Sequence, residues 1–398
     1  MKKSNLFFVL LTALIVMSCS KDETTMSIPQ EGNAIEFGTY VGRDAQTRAS
    51  IIDAGTLATQ GFGVFAFYSN ESGNYYTNTT PPSNFTPNFM WNTKVSTASW
   101  TYSPIKYWPN ETTDKLTFFA YAPYSDGTQN NISNFTTNAA VGDPTLKFTV
   151  NGTTKDQSDL LYADAASLKN LGKQTIGGKV LFPFKHALSR IGFKVEVMSD
   201  VVNHDPTTGE ADTTGEGTVT SKDIDEATTV SVQKVELIGK FVKSSTFNFA
   251  AGSWTTPTDF TSATPAYSLD YNATPASSNF LNTVAEKVTT SPAVLNTADS
   301  YLMIIPKEFT TDPADALQIK VTYTVTTADL ALSGEKSEII NVITSDPFAF
   351  TFEAGKAYSF NLHLGLTSVK FSATVADWIT DENPETEIVV NVPINTAP

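Results

Sequence analysis

Apolar residues in this chain of 398 residues recur at every second position over long stretches, and rarely at the three-to-four-residue spacing of a helix. Ile191, Phe193, Val195 and Val197 alternate with Gly192, Lys194 and Glu196. Leu317, Ile319, Val321, Tyr323 and Val325 alternate with Gln318, Lys320, Thr322 and Thr324. Successive side chains of an extended strand point to opposite faces, so this spacing predicts half-buried strands. Tyr358, Phe360, Leu362, Leu364 and Leu366 form a third run. Val369, Phe371, Ala373 and Val375 follow after a short turn at Thr367 and Ser368, so these two runs predict a hairpin. Gly61 to Tyr68 and Leu116 to Ala122 are apolar on both faces, as central strands covered on both sides are. The best short helical candidate runs from Asp159 through Ala166 to Leu168. Turn chemistry punctuates the runs at Pro81-Pro82, Pro109-Asn110, Asp126-Gly127 and Gly177-Gly178. With 26 Phe, 14 Tyr and only 17% charged residues, composition agrees with strands. The expected fold class is all-β, built from β-sandwiches.

The N-terminus follows a different logic. Lys2 and Lys3 precede a short apolar run from Leu6 to Met17. That run falls short of the roughly 20 apolar residues a permanent membrane span needs. Ser18-Cys19 comes next, with Val16 three positions before the cysteine, so the segment resembles a lipoprotein signal peptide over residues 1–18 with Cys19 as the acylated residue. Cys19 is the only cysteine, so the body uses no disulfide, and lipid attachment consumes a thiol that has no partner. Acyl chains contribute about 0.8 kcal/mol per buried CH₂, and several together hold firmly. Ser20-Lys21-Asp22-Glu23 resembles the surface-export signal of lipoproteins in the Bacteroidales. The expected location is therefore the exposed face of the cell outer membrane, through lipid on Cys19.

Length favours two domains. The expected division is a polar tether over 19–33, a first domain over 34–184, a second over 185–378 and a tail over 379–398. Asp205 to Glu226, rich in Gly, Thr and acids, reads as a long loop. A formal charge of -15 argues against nucleic acid as a partner, because phosphates require basic counter-charges.

Groups for catalysis are scarce. His186, His204 and His363 are far apart in sequence, and none begins an H-E-x-x-H pair. A surface role is expected for His363 and a core-edge role for His186. Gly61-Phe62-Gly63-Val64-Phe65-Ala66 matches G-x-G-x-x-A, but no helix opens after it to face a pyrophosphate. The acids between Asp205 and Glu226 fit no EF-hand spacing. No catalytic residue, metal ligand or cofactor is therefore assigned. Trp91, Trp100 and Trp108 support one alternative, a surface that stacks on the sugar rings of glycans.

Leu160-Leu161-Tyr162-Ala163, followed by Phe182-Pro183-Phe184-Lys185-His186-Ala187-Leu188-Ser189-Arg190-Ile191, resembles the fimbrillin family, the pilin-like lipoproteins of type V pili. Ile35-Glu36-Phe37, Thr47-Arg48-Ala49, Phe62 to Tyr68, Trp108-Pro109, Leu116 to Tyr124, Gly355-Lys356-Ala357-Tyr358 and Trp378 are similar in the same order. The resemblance implies two transthyretin-like β-sandwich domains in tandem and a role as a fimbrial (pilus) subunit. It implies a trypsin-like or arginine-specific protease that cuts after the first strand and discards the acylated segment. On this chain that places the cut after Arg48, with Arg43 as second choice, and the removable strand around Ala34 to Tyr40. The partners implied are other pilin subunits, in a homo- or hetero-polymer, with host or bacterial surfaces as further targets. A strand from a neighbouring subunit would fill the vacated groove, because an open sheet edge leaves N–H and C=O groups unpaired. Ile388, Val390, Val392 and Ile394 alternate after a Pro-marked turn and have no partner strand nearby in sequence, so they are the expected donor. Pro393 interrupts that run at a position an edge strand tolerates. The competing expectation is that the tail completes its own domain.

Overall fold

A computed structural model of the chain describes residues 33–41, 54–69, 76, 86–96, 99–197, 228–262, 265–270, 293–295, 301–329, 335–365, 369–378 and 386–388. Its architecture is all-β. The strands up to residue 186 are β1 (Glu36–Val41), β2 (Phe62–Ser69), β3 (Met90–Val95), β4 (Lys115–Ala122), β5 (Ile132–Ser133), β6 (Thr145–Thr149), β7 (Leu161–Ala163) and β8 (Lys179–His186). There follow β9 (Ser189–Val197), β10 (Thr228–Ile238), β11 (Val242–Asn248), β12 (Ser253–Trp254), β13 (Asp259–Phe260), β14 (Tyr267–Asp270), β15 (Ala293–Val294) and β16 (Leu302–Ile304). The last are β17 (Lys307–Phe309), β18 (Gln318–Asp329), β19 (Glu335–Thr344), β20 (Phe350–Phe352), β21 (Lys356–Leu364), β22 (Val369–Asp377) and β23 (Thr386–Ile388). Two short helices, α1 (Ala54–Gln60) and α2 (Lys173–Ile176), accompany them.

The first sheet has the order β1-β8-β7-β4-β2-β3. As their two-faced apolar sequences require, β2 and β4 lie inside it and are buried almost throughout. One face carries Phe65, Phe67, Phe119 and Tyr121 against Leu146 and Phe148 of a second sheet, β12-β11-β6-β5, and against Phe249 just after β11. The other face carries Phe62, Val64, Phe118, Val180 and Phe182 under Leu57 of α1, Tyr102, Trp108 and the β1 side chains. The second sheet joins distant parts of the chain: Thr145 to Thr149 of β6 pair antiparallel with Asn248 to Ser244 of β11. Strand pairing thus crosses the division expected near residue 184, and that position itself lies inside β8.

A third sheet, β14-β10-β18-β19, faces a fourth in which β9 is flanked by β15 and β16 on one side and by β21, β22 and β23 on the other. The expected hairpin is present, with Tyr358 opposite Val375 and Leu362 opposite Phe371. β21 also runs parallel to β9, pairing Tyr358 with Ile191 and Leu362 with Val195.

The helix expected over Asp159 to Leu168 is not formed. Leu161 to Ala163 are a strand between β4 and β8, and Ala165 to Ser167 make a single 3₁₀ turn whose Ala166 N–H is capped by Asp164. Pairing on both edges outweighs local helical propensity here, as tertiary context commonly does.

Candidate functional site: an edge strand in an aromatic groove

β1 is the last strand of its sheet and is joined to it by parallel pairing, from Glu36 opposite Lys179 to Val41 opposite Phe184. The alternation Ile35-Glu36-Phe37-Gly38 turns one apolar row inward. Ile35 and Phe37 are only 2% and 3% exposed. The Phe37 ring lies 4.9 Å from that of Tyr102, 5.4 Å from Phe182, 6.1 Å from Phe118 and 6.5 Å from Phe62, in tilted and edge-on contacts. Such contacts add about 0.5–1.5 kcal/mol each to the area buried. The outward row is different. Glu36 and Tyr40 are exposed. A Cβ on Gly38 would come within 2.7 Å of the Leu181 side chain and 2.8 Å of Lys179, so glycine lets β1 lie close to β8.

The N-terminal end of β1 is clamped from its other side. The Ile35 N–H donates to the Lys106 carbonyl at 2.9 Å, and the Trp108 N–H donates to the Asn33 carbonyl at 2.9 Å. The Tyr102 hydroxyl donates to the Ile35 carbonyl at 2.9 Å. Burial raises the Tyr102 pKa above the ordinary phenol range, which keeps that proton in place. Trp108 is buried and donates its indole N–H to the Gly178 carbonyl at 2.9 Å, where Gly177 and Gly178 both have positive φ. Gly177-Gly178 is therefore the turn that launches β8 beneath β1. Tyr102 and the 106–108 clamp escaped the sequence reading, because they act through backbone groups far away in sequence.

The motif segments that carry the family resemblance converge on a second place, the junction where β8 passes into β9. The Ala187 N–H donates to Leu160, the Gly355 N–H to Leu188 and the Trp378 N–H to Gly355, at 2.8, 2.9 and 2.8 Å. His186 is buried, 2.8 Å from the Asp159 carboxylate through Nδ1, and stacked on Trp378 with ring centroids 4.1 Å apart. The Arg190 guanidinium lies over Tyr301 and Trp378 at 4.7 and 5.8 Å. Gly355 has φ +70 and sits against the His186 carbonyl, so a side chain there would be strained. These residues hold the sheets together; they present no nucleophile to solvent. His363, expected at the surface, is half-buried and paired with Glu196.

Cys19, Arg43, Arg48, Val390, Val392 and Ile394 lie outside the described residues. Ile388 lies in β23, which pairs antiparallel with β22: Ala373 with Ile388, Thr374 with Glu387 and Val375 with Thr386. The start of the tail thus has a partner strand in its own sheet, which its spacing from β22 did not suggest. Of the three tryptophans behind the glycan-binding alternative, Trp108 is in the core and Trp100 packs on Phe62 at 5.4 Å. Only Trp91, 43% exposed, faces outward, and its indole N–H donates to the Thr136 carbonyl. Among the described residues no three His, Cys, Asp or Glu side chains are grouped as a metal site requires.

The geometry defines an all-β protein of stacked sheets whose first strand fills an apolar groove at a sheet edge. The fimbrillin-like family model matches residues 47–378, and the chain belongs to that family. It is 27% identical over 414 residues to the fimbrium subunit Fim1C of Phocaeicola vulgatus, covering 98% of this chain and all of that one. Its fold is similar to a crystal structure of a fimbrial protein from Bacteroides vulgatus, with a TM-score of 0.64, 22% identity, and 87% of this chain and 99% of that chain covered.

Proposed function

We propose that this chain is a structural subunit of a cell-surface pilus, exported as a lipoprotein through Cys19 and assembled by strand exchange. The family membership and the fimbrium-subunit relative support the pilus role. The single observation that carries the assembly reading is β1 itself, an edge strand whose Ile35 and Phe37 fill a groove lined by Phe62, Tyr102, Phe118 and Phe182. The chain leaves β1 at Val41 and reaches Arg43 and Arg48 directly afterwards. A cut at Arg48, or at Arg43, severs the link between β1 and the rest of the protein.

After such a cut, burial of Ile35 and Phe37 holds β1 with about 1.5–3 kcal/mol per side chain. The ordering cost of about 1–2 kcal/mol per residue offsets much of this once the strand is no longer tethered. A donor presenting Ile388, Val390, Val392 and Ile394 brings four apolar side chains where β1 brings two well-buried ones. Among the described residues, the start of that donor rests on β22 through a three-residue ladder, a short pairing to give up. The lipid on Cys19 then acts as a delivery handle at the outer membrane, discarded with β1 when the subunit enters the fimbrium. No catalytic role or cofactor is assigned. The partners are other pilin subunits, the outer membrane before cleavage and the arginine-directed protease.

Limited trypsin treatment of purified precursor tests this reading. Loss of the segment through Arg48 should be followed by ladders of polymer on a native gel, and Arg43→Ala with Arg48→Ala should abolish those ladders. Trimmed chain that never polymerises would remove the assembly claim.

A further inference from the structure

The outer face of the third sheet is polar until its last strand. Lys320, Thr322 and Thr324 of β18 lie on it beside Lys234 and Glu236 of β10, with Lys320 and Glu236 paired at 2.9 Å. The next strand breaks the pattern. Ile340 and Val342 of β19, opposite Thr324 and Thr322, are 68% and 57% exposed. On the core-facing row Ile339, opposite Val325, is 59% exposed, while Ile343, opposite Val321, packs on the core. Among the described residues β19 pairs only with β18, along ten residues, so its far side is a sheet edge. Natural edge strands are kept short or guarded by charge and proline. From Ser337 to Thr344 this one carries a single charge, Glu338, and no proline. Apolar side chains on both faces belong to a strand covered on both faces and paired on both edges.

The pattern also indicates what covers it. When two sheet edges pair antiparallel about a two-fold axis normal to the sheet, both copies keep the same face outward. The residue on the axis then faces itself. With Asn341 on the axis, Ile340 lies opposite Val342 of the second copy on the outer face, and Ile339 lies opposite Ile343 on the core face. Glu338 falls opposite Thr344. Neighbouring registers fail: an axis at Ile340 sets Glu338 against Val342, one at Val342 sets it against Asp346, and one at Ile339 sets it against Ile340. We propose that β19 is a self-association edge, through which two copies of this chain join their third sheets into one continuous sheet centred on Asn341.

The contact involves neither β1 nor the tail, so its test leaves the strand-exchange reading untouched. Sedimentation velocity on the untrimmed full chain should show a concentration-dependent dimer. Ile340→Glu and Val342→Lys should each weaken it at least tenfold, since each places a charge against an apolar side chain. Combined, they face each other across the axis twice, and the dimer should return. With Cys19→Ser as background, Asn341→Cys should give a disulfide-linked dimer on oxidation, because directly opposed strand residues lie within disulfide reach. Glu338→Cys should not. The substitutions are at exposed positions, and a thermal melt confirms that each variant folds. A monomer at all concentrations would overturn the proposal, as would a dimer indifferent to these changes or an edge covered by residues 389–398 of the same chain.

Discussion

At the edge of the first sheet, β1 points Ile35 and Phe37 inward and leaves Glu36 and Tyr40 exposed. At the edge of the third, β19 leaves Ile339, Ile340 and Val342 in contact with solvent. Both are strands at sheet ends, yet their apolar rows meet different fates. β1 supplies side chains to a core that the rest of the chain leaves incomplete, whereas Ile339, Ile340 and Val342 of β19 are left uncovered by the described residues. The first edge is therefore a question of stability, and the second a question of association.

Removing the main anchor of β1 breaks the comparison most strongly. Phe37→Ala deletes a ring enclosed by four others, and should cost about 3–5 kcal/mol in denaturant unfolding of the intact chain. A loss near zero would mean that β1 does not belong to the folded core. Tyr102→Phe keeps the ring and removes only the hydroxyl donated to Ile35, so its cost should be about 0.5–1.5 kcal/mol by the same measurement.

A smaller effect separates charge from packing on the strand that β1 leans upon. The hydrogen bond from Lys185 of β8, and then the Ala166 N–H, hold the Asp164 carboxyl below the usual carboxylate range. A depressed carboxylate stabilises the fold above its unfolded value, near 3.9, and that contribution fades as pH falls through the folded value. Because the pair is exposed, Asp164→Asn should cost only about 0.2–1 kcal/mol at neutral pH. The mutant's deficit should shrink in acid-limb unfolding curves. Smallest of all, Ile340→Thr on β19 should leave the stability of dilute monomer within about 0.5 kcal/mol, read by thermal melts. A large loss there would place Ile340 in a covered core and erase the contrast between the two edges.

The strands with clear alternation were legible because burial on one face leaves a period of two in the sequence: β9, β18, β21 and β22 stand where Ile191, Ile319, Tyr358 and Val369 placed them. β2 and β4 were legible for the opposite reason, being apolar throughout. Sheet order was not, since the pairing of β6 with β11 joins residues about a hundred positions apart, and no local signal records it. The short β7 was misread because Leu160, Leu161, Ala163 and Ala165 suit either a helix or a buried strand. At the candidate site, the place of β1 followed from the family resemblance, which put a strand around Ala34 to Tyr40, where Glu36–Val41 stands. The groove did not, because Tyr102, Trp108 and Phe182 approach it from three separate loops and strands. β19 was missed as a strand because Ile339-Ile340-Asn341-Val342-Ile343 does not alternate.

Native mass spectrometry of the trimmed chain bears most directly on the claim that β1 is an exchangeable occupant of its groove. After cleavage at Arg48, a synthetic peptide of residues 385–398 is added and the bound species are weighed over time. The fragment carrying β1 should depart and the peptide take its place at one copy per chain, faster in Phe37→Ala than in the parent. A fragment that stays bound while the peptide finds no site would contradict it.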